Sequence, residues 1–335
     1  MSRLASINTA LPAFSLSQGD ARRLCEKIYA RRRDLLGLLR IFDTCGVQTR
    51  RFSFPPEYYL EPRSFEARND DFIRKAVELA AQAARGALER AGVRPERVDH
   101  LIVATTTGLA TPSLDALLVP LLGLRSDVRR WPLFGLGCAG GVGAVGRAAE
   151  LVDGRRETAL VVSVEISGQV FSLEATTAVD VLGAALFGDG AAAAVVTGGE
   201  GLLRPSSLLF EGSAELMGWK FGNDGPRLVL SEKIGGLLRS RLREAADAAL
   251  RGETPRFWAL HPGGRRILEA YADVLGLSAD DLAWSRNSLA RVGNTSSASA
   301  LLVLADLWPS AKPGDRILLA APGPGFGLES VLIGC

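Results

Sequence analysis

Histidine is scarce in this chain, since 335 residues include only two. The four cysteines, at positions 25, 45, 138 and 335, are too few and too scattered for a disulfide framework, and none has the CxxC spacing of a zinc site. The formal net charge is only +2, so no polyanion-binding surface spread along the sequence is expected. These shortages argue against a disulfide-stapled secreted domain, a metal centre and a nucleic-acid-binding protein, and they favour a reducing compartment.

Long apolar runs are missing as well. No stretch approaches the length of a membrane span, and in the start MSRLASINTALPAF the polar Asn8 and Thr9 and then Pro12 interrupt any signal-peptide core. Hydrophobic residues nevertheless make up 47% of the chain and charged residues 23%, as in a globular protein with a large core and two core units. We expect a soluble cytoplasmic protein without a membrane span.

Strand-like and helix-like stretches alternate along the chain, which predicts an α/β layered architecture. The predicted strands are 4–10, 98–107, 131–136, 158–164, 256–260 and a strand after the glycine turn at 188–190. The predicted helices are 17 to about 42, 69–91, 114–123, one after Cys138, 174–182, 265–275, 279–289 and one after Asn294.

One cysteine lies in a glycine-rich turn, WPLFGLGCAGGVGA, between an apolar run and a helix of small residues. At a helix start the unpaired N–H groups and the helix dipole favour a thiolate, so a lowered pKa and a nucleophilic Cys138 are expected. Alternatively, Cys138 is a small buried hydrophobe in a tightly packed turn. This segment alone supports both interpretations equally.

The second half of the chain repeats the pattern of the first. GCAGGVGA at 137–144 and GNTSSASA at 293–300 each combine glycine, one polar group and a close-packing helix start. We infer a duplicated α/β unit with an N-terminal half, 1–200, and a C-terminal half, 201–335. In such a duplicate the two helix starts face each other, which would bring Cys138, His261 and Asn294 together.

The candidate partners of Cys138 are few. His261 follows a strand at its carboxyl end, where sites gather in open α/β sheets, and is the candidate base. His100, at the head of a strand beside Asp99, is interpreted as structural or on the surface. Asn294 either caps the following helix or donates its amide N–H to a developing oxyanion.

Several arginines precede this region. The run at 31–33 is most simply a solvated helix face, and the alternative is a landing surface for a phosphate-bearing ligand, to which Arg50 and Arg51 would contribute.

The motifs GLGCAGG, LFGDGAAA, HPGG, GNTSSAS and GPGF occur in the order in which type III polyketide synthases have them, and the similarity covers essentially the whole chain. These enzymes are the chalcone-synthase-like branch of the thiolase superfamily, so the resemblance implies a thiolase-like αβαβα fold. The segments TTTGLATPSLDA and LMGW resemble most closely the bacterial enzymes that extend fatty acyl starters to alkylpyrones or alkylresorcinols.

The resemblance implies roles for the three candidate residues. Cys138 would accept the starter acyl group from coenzyme A, and His261 would pair with its thiolate. His261 and Asn294 would stabilise the enolate formed when malonyl-CoA loses carbon dioxide. The implied substrates are acyl-CoA and malonyl-CoA, with no metal or separate cofactor, and the implied assembly is a homodimer.

Further residues resemble positions that shape or support the active-site cavity in this family, and their roles rest on that resemblance only. They are Phe187 as gatekeeper, Thr106 and Thr107 as cavity wall, Thr111 as a residue reaching into the partner's cavity, Gly183, Trp219 and Leu228 as determinants of cavity volume, Gly323, Pro324 and Gly325 as a scaffold loop, and Arg50 and Arg51 as contacts to coenzyme A. Pro322 and the segment 166–180 depart from the family's usual sequence, which puts substrate size and the cyclisation route in doubt.

Three other functions compete with this hypothesis. A ketoacyl-acyl carrier protein synthase of the initiating type shares the fold and the three residues, but it has an HQAN-like run where this chain has HPGG. A papain-like protease would need a CGSCW-type context around its cysteine. A catalytically silent homologue that acts as a binding partner is the third alternative.

Overall fold

The computed structural model describes residues 1–30, 32, 34–170, 177–222 and 225–335. The strands are β1 Ser2–Ala10, β2 Phe14–Ser17, β3 Thr49–Phe52, β4 His100–Thr105, β5 Arg129–Phe134, β6 Thr158–Glu165, β7 Gly190–Gly198, β8 Leu202–Leu209, β9 Met217–Gly222, β10 Gly225–Leu230, β11 Phe257–Leu260, β12 Arg316–Gly323 and β13 Gly327–Gly334. The helices are α1 Gln18–Ile28, α2 Leu35–Leu38, α3 Ile41–Thr44, α4 Phe65–Ala91, α5 Leu114–Leu122, α6 Gly140–Val152, α7 Ala178–Leu186, α8 Ile234–Leu250, α9 Arg265–Leu275, α10 Ala283–Val292 and α11 Ser299–Leu307.

Two sheets form the framework of the protein. The first has the order β1-β7-β6-β4-β5, and the second has the order β11-β12-β13-β8. In the first sheet β4 and β6 are parallel while β6, β7 and β1 are antiparallel in turn. The second sheet repeats this pattern with β11, β12, β13 and β8, and among the described residues it has no counterpart of β5. The repetition supports the proposed duplication, because the first sheet ends before residue 200 and the second begins after it.

Helices α6 and α11 lie between the two sheets. Apolar side chains of both helices, such as Val145 and Leu301, are buried in one cluster with Val161 of β6 and Ile317 of β12. Outer helices cover the other faces, with α4 against β1, β6 and β7 and with α8 against β8 and β13. The order of layers is therefore helix, sheet, helix, sheet, helix, and the predicted α/β layered architecture is confirmed.

Small residues allow this close packing. A Cβ atom on Gly141 of α6 would lie 2.2 Å from the carbonyl oxygen of Ser297, so only glycine permits this approach of the two inner helices. Strand β7, GAAAAVVTG, is buried along most of its length, as expected of a strand covered on both faces. The alanine and glycine runs of the sequence therefore mark the middle of the molecule.

Local signals explain both ends of helix α4. The side chain of Ser64 accepts a hydrogen bond from the N–H of Ala67 at the start of α4, and Gly92 ends the helix in a left-handed conformation, φ 62°. The expected helix 17 to 42 is wrong, because α1 ends at Ile28 and the later apolar residues belong to the short helices α2 and α3. Predicted positions 31, 33 and 174–176 lie outside the described residues.

Candidate active site

The predicted nucleophile sits at the head of an inner helix. Cys138 lies in a 3₁₀ turn, Gly137–Ala139, that follows β5 and leads directly into α6. Asn294 lies in the corresponding place before a 3₁₀ turn, Ser296–Ala298, and α11. The sulfur of Cys138 is 3.8 Å from the hydroxyl of Ser296, and the side chain of Asn294 is near enough to lower the pKa of the thiol. The structure therefore brings these two helix starts into contact.

The amide of Asn294 is oriented by its own turn. Its Oδ1 atom accepts hydrogen bonds from the N–H of Ser296 at 2.8 Å and from the hydroxyl of Ser299 at 3.3 Å. Because the oxygen is occupied in this way, the amide NH₂ is the group presented to the sulfur of Cys138. The side chain of Asn294 therefore closes the turn that precedes α11, although the helix caps are Thr295 and Ala298, and its donation to an oxyanion stays a prediction.

His261 lies beside strand β12, and its part in this site stays a prediction. It follows β11 directly, is 2% exposed, and donates its N–H to the carbonyl oxygen of Ala320 at 2.9 Å. Strand β12 ends in the loop that contains Pro324, and this loop packs against Gly137: a Cβ atom on Gly137 would lie 2.4 Å from the Cδ atom of Pro324. The Nδ1 atom of His261 is buried without a hydrogen-bond partner among the described residues, which leaves the ring free to exchange a proton.

Close packing and hydrogen bonds hold the predicted scaffold loop, residues 323–325, in place. Gly323 packs so closely on Ala139 that a Cβ atom would lie 2.5 Å from the alanine Cβ, and Gly325 has φ 82°. The hydroxyl of Ser213 lies 2.9 Å from the carbonyl oxygen of Gly325 and 3.1 Å from that of Phe326. Gly323, Pro324 and Gly325 therefore support the cysteine turn.

Burial sets the protonation states of the empty site. Burial raises the pKa of the Cys138 thiol to about 12, and the nearby Glu165 carboxylate raises it further, while hydrogen bonds from Ser296 and Asn294 partly offset this. Burial also lowers the pKa of His261 to about 3. The expected lowering of the Cys138 pKa is wrong here, because loss of water outweighs the favourable helix start. Near neutral pH the empty site holds a thiol and a neutral imidazole.

Sequence reasoning missed a buried acid beside the cysteine. Glu165, at the end of β6, is fully buried, and burial raises its pKa. Its Oε2 atom accepts hydrogen bonds from the N–H groups of Thr106 and Thr107 at 3.0 and 3.1 Å and from the hydroxyl of Thr107 at 2.7 Å. Its other oxygen is bonded to Ser297. The signal was present, since an acid that ends the apolar run VVSVE lies at the carboxyl end of a parallel strand.

Predicted cavity residues cluster around Phe187. A Cβ atom on Gly183 would lie 3.4 Å from Leu228 and 3.5 Å from the ring of Phe187. Leu228 pairs with Trp219 across strands β10 and β9. The hydroxyl of Thr106 is buried without a hydrogen-bond partner among the described residues, and Thr107 is buried on Glu165.

Four other residues were assigned from the sequence, and the structure contradicts the assignment of Arg50. Arg50 is completely buried, so it cannot contact a phosphate of coenzyme A, and that expectation is wrong. Arg51 is half-buried and donates to the carbonyl oxygen of Ala13 at 3.3 Å. His100 is structural, with its ring bonded to Glu157 and Trp131, but it is buried rather than on the surface. Thr111 is exposed.

Comparisons with known proteins agree with this geometry. Residues 55–200 match the family model "Chalcone and stilbene synthases, N-terminal domain", and residues 246–335 match "3-Oxoacyl-[acyl-carrier-protein (ACP)] synthase III C terminal". A 1,3,6,8-tetrahydroxynaphthalene synthase of Streptomyces peucetius is 36% identical over 98% of this chain and 92% of its own. An acylalkylpyrone synthase of Aspergillus oryzae is 30% identical over 84% of this chain and 81% of its own.

Solved structures extend the similarity to the whole fold. The 1,3,6,8-tetrahydroxynaphthalene synthase of Streptomyces coelicolor, a bacterial type III polyketide synthase, superimposes with a TM-score of 0.91 at 28% identity and covers 99% of each chain. The layered fold and the paired helix starts define a thiolase-like acyltransferase. The chain belongs to the type III polyketide synthases, the family of the chalcone and stilbene synthases.

Two features are absent from the described part of the chain. No group of three or more His, Cys, Asp or Glu side chains in the described part of the chain is placed to hold a metal ion. Within the same residues, no helix combines the length and the apolar character that crossing a membrane requires.

Proposed function

We propose that this enzyme loads an acyl-CoA starter, in the first instance a fatty acyl-CoA, onto Cys138 and extends it with several malonyl-CoA units to an alkylpyrone or alkylresorcinol. The observation that carries the proposal is the 3.8 Å contact of the Cys138 sulfur with the hydroxyl of Ser296, where the turns before α6 and α11 meet and where the side chain of Asn294 lowers the pKa of the thiol. A sulfur nucleophile faced by an amide donor suits acyl transfer, in which an oxyanion must be stabilised next to the sulfur.

Loading is a thioester exchange. The thiol proton of Cys138 passes to the neutral imidazole of His261, and the sulfur attacks the carbonyl carbon of the acyl-CoA. The bond to the coenzyme A sulfur breaks, and the coenzyme A thiolate takes the proton back from His261. The imidazole of His261 is uncharged near neutral pH and so has a lone pair to accept the proton, while its low pKa opposes the transfer until the sulfur attacks the thioester.

Extension is a decarboxylative Claisen condensation. Malonyl-CoA loses carbon dioxide, and the electron pair left behind is shared with the thioester oxygen as an enolate. The amide NH₂ of Asn294 and a ring N–H of His261 donate to that oxygen, and loss of one such donor typically costs about a hundredfold to a thousandfold in rate. The enolate carbon attacks the acyl carbonyl on Cys138, a carbon–carbon bond forms, and the Cys138 sulfur leaves.

The relatives support two product classes. The acylalkylpyrone synthase favours a lactone ring on an alkyl chain. The tetrahydroxynaphthalene synthase, the more similar of the two, favours a second candidate in which malonyl-CoA alone supplies a fused aromatic ring. Cys138, His261 and Asn294 serve both routes, and the volume around Gly183 and Phe187 would separate them.

A homodimer is part of the proposal. Strand β5 is the last strand of its sheet, and its side chains Trp131 and Phe134 are 41% and 51% exposed. An uncovered apolar strand edge is an association surface, and a second copy pairing there would bury it. Thr111 is exposed and, by resemblance, reaches the partner's cavity. We place the enzyme in the cytoplasm, where Cys138 stays reduced.

The test is product analysis with the purified protein. Malonyl-CoA is supplied alone and with acyl-CoA starters of graded length, and products and acylated Cys138 are identified by mass spectrometry. Fatty starters are expected to give alkylated products, whereas tetrahydroxynaphthalene from malonyl-CoA alone would favour the second candidate. Extension of an acyl group only from an acyl carrier protein would favour the initiating synthase. Binding without carbon dioxide release would indicate a catalytically silent homologue.

A further inference from the structure

Arg50 is a buried cation without an acidic partner. Its side chain has no exposed surface, and among the described residues no carboxylate forms an ion pair with it. Removing a charge from water without compensation is costly, so a buried arginine must be held by several acceptors. Burial lowers its pKa only to about 10, so Arg50 stays charged at neutral pH.

The acceptors are the last carbonyl groups of helix α7. Arg50 donates from Nη1 to the carbonyl oxygen of Ala184 at 2.5 Å and to that of Phe187 at 3.3 Å. From Nη2 it donates to Oε1 of Gln18 at 2.6 Å, and Gln18 in turn donates to the carbonyl oxygen of Ala185 at 3.0 Å. A cation at a helix C-terminus also interacts favourably with the helix dipole, so Arg50 and Gln18 cap α7.

The same turn holds Asn294. The N–H of Asn294 donates to the carbonyl oxygen of Leu186 at 2.8 Å, and the N–H of Gly188 donates to the carbonyl oxygen of Asn294 at 3.0 Å. Gly188 and Gly293 both pack against Arg50, since added Cβ atoms would lie 3.2 and 3.4 Å from its Cβ. The arginine therefore lies directly behind the backbone of the amide donor.

We propose that Arg50 is a positioning residue. By capping α7 it fixes a backbone pair, the hydrogen bonds from Asn294 to Leu186 and from Gly188 to Asn294, that holds the amide of Asn294 and the ring of Phe187 at the cavity. The inference rests on the proposed role of Asn294 in decarboxylation. A small displacement of a donor that must meet a developing oxyanion lowers the rate steeply, whereas the sulfur of Cys138 belongs to another segment. Arg50 should thus affect enolate formation more than access to Cys138.

The experiment compares Arg50→Met and Arg50→Lys with Arg204→Met. Arg204 also caps a helix C-terminus, since it donates to the carbonyl oxygen of Leu250 in α8 at 2.8 Å. Two rates are measured in each protein: malonyl-CoA decarboxylation and alkylation of Cys138 by iodoacetamide. For Arg50→Met we expect decarboxylation to fall by about tenfold or more while alkylation stays within about threefold. Removing such a donor costs about a hundredfold to a thousandfold in rate, and a displaced donor loses part of that factor.

Hydrogen exchange measures the backbone pair itself. The amides of Gly188 and Asn294 are expected to exchange at least about tenfold faster in Arg50→Met and not in Arg204→Met. Arg50→Lys keeps the charge with fewer donors, so intermediate values are expected, and this variant carries the test where Arg50→Met does not fold. Unchanged exchange, or parallel loss of both rates in the Arg50 variants, would overturn the inference. Absence of decarboxylation in the wild-type protein would instead overturn the proposed function. The hydrogen-exchange data would still test whether Arg50 fixes the backbone at Gly188 and Asn294.

Discussion

The backbone of Phe187 forms an isolated parallel bridge with that of Asn294. The two hydrogen bonds of this bridge, from Asn294 to Leu186 and from Gly188 to Asn294, join the end of α7 to the start of the α11 segment. The ring proposed as gate and the amide proposed as enolate donor are therefore fixed by one element. A movement that opens the gate through the backbone would also displace the amide, which couples substrate entry to decarboxylation.

Replacing Cys138 separates the two half-reactions. Cys138→Ala is expected to reduce condensation by about a thousandfold or more, because the nucleophile is lost. Cys138→Gln is expected to leave malonyl-CoA decarboxylation running, because His261 and Asn294 remain. Product mass spectrometry and carbon dioxide release measure the two activities, with Cys335→Ala as a matched cysteine variant. Polyketide formed by Cys138→Ala would show that another residue carries the acyl group.

The reactivity of Cys138 should depend steeply on pH. Burial raises its pKa to about 12, so the iodoacetamide rate is expected to rise about tenfold per pH unit from about pH 7 to about pH 9 in the empty enzyme. Cys138 keeps some accessible surface, and acyl-CoA should protect it. Glu165→Gln is expected to increase the rate, because the carboxylate raises the thiol pKa. A rate that is already constant at about pH 7 would instead indicate a preformed thiolate–imidazolium pair.

His261 should make folding sensitive to acid. Its folded pKa is about 3, below the ordinary value of about 6.5, so the unfolded chain binds a proton that the folded protein does not. Stability is therefore complete above about pH 6.5 and falls as the pH drops toward 3, by about 2 kcal/mol between about pH 7 and about pH 5. Urea unfolding measures this difference.

His261→Gln provides the control, because all other titrating groups are shared with the wild type. The variant is expected to lose about 2 kcal/mol less between the two pH values. An equal loss in both proteins would mean that the imidazole can be protonated inside the fold.

The periodic and motif-bearing parts of the fold were predictable from sequence. Helix α9 has the predicted bounds, and α4 ends at the glycine that was expected to stop it. The helix predicted from 17 to 42 was not observed, because the periodic apolar residues beyond Ile28 are buried by two short helices. Periodicity records which residues face the core, but it does not show whether one helix carries them all.

The site was predictable where a short motif holds the residue. Cys138 and Asn294 were expected together, and the turns before α6 and α11 that carry them are in contact. Glu165 and the buried position of Arg50 were missed, because their surroundings come from segments far apart in the chain. The arginine run at 31–33, with Arg50 and Arg51 downstream, suggested a landing surface for a phosphate-bearing ligand, yet Arg50 caps a helix inside the protein.

Gly183 should control product size. An alanine Cβ there would make ordinary contacts with Leu228 and Phe187, so Gly183→Ala is expected to fold with a nearly unchanged melting temperature. Gly183→Leu must displace one of these neighbours and occupy the cavity, so products are expected to shift to fewer extensions or shorter starters. Mass spectrometry of the product series measures the shift. Gly236, which has open space around it, provides the control Gly236→Leu, and an unchanged series in Gly183→Leu would place the cavity elsewhere.

Strand β5 provides the test of the proposed homodimer. Phe134→Glu puts a charge on the exposed edge next to Trp131, and desolvating an unpaired carboxylate opposes association, so a monomer is expected by light scattering where the wild type is a dimer. Leu36→Glu, at an exposed leucine of α2, should leave the dimer intact. If Thr111 completes the partner's cavity, the monomer should still be alkylated at Cys138 but release an altered product series. A monomeric wild type, or a Phe134→Glu dimer, would remove β5 as the interface.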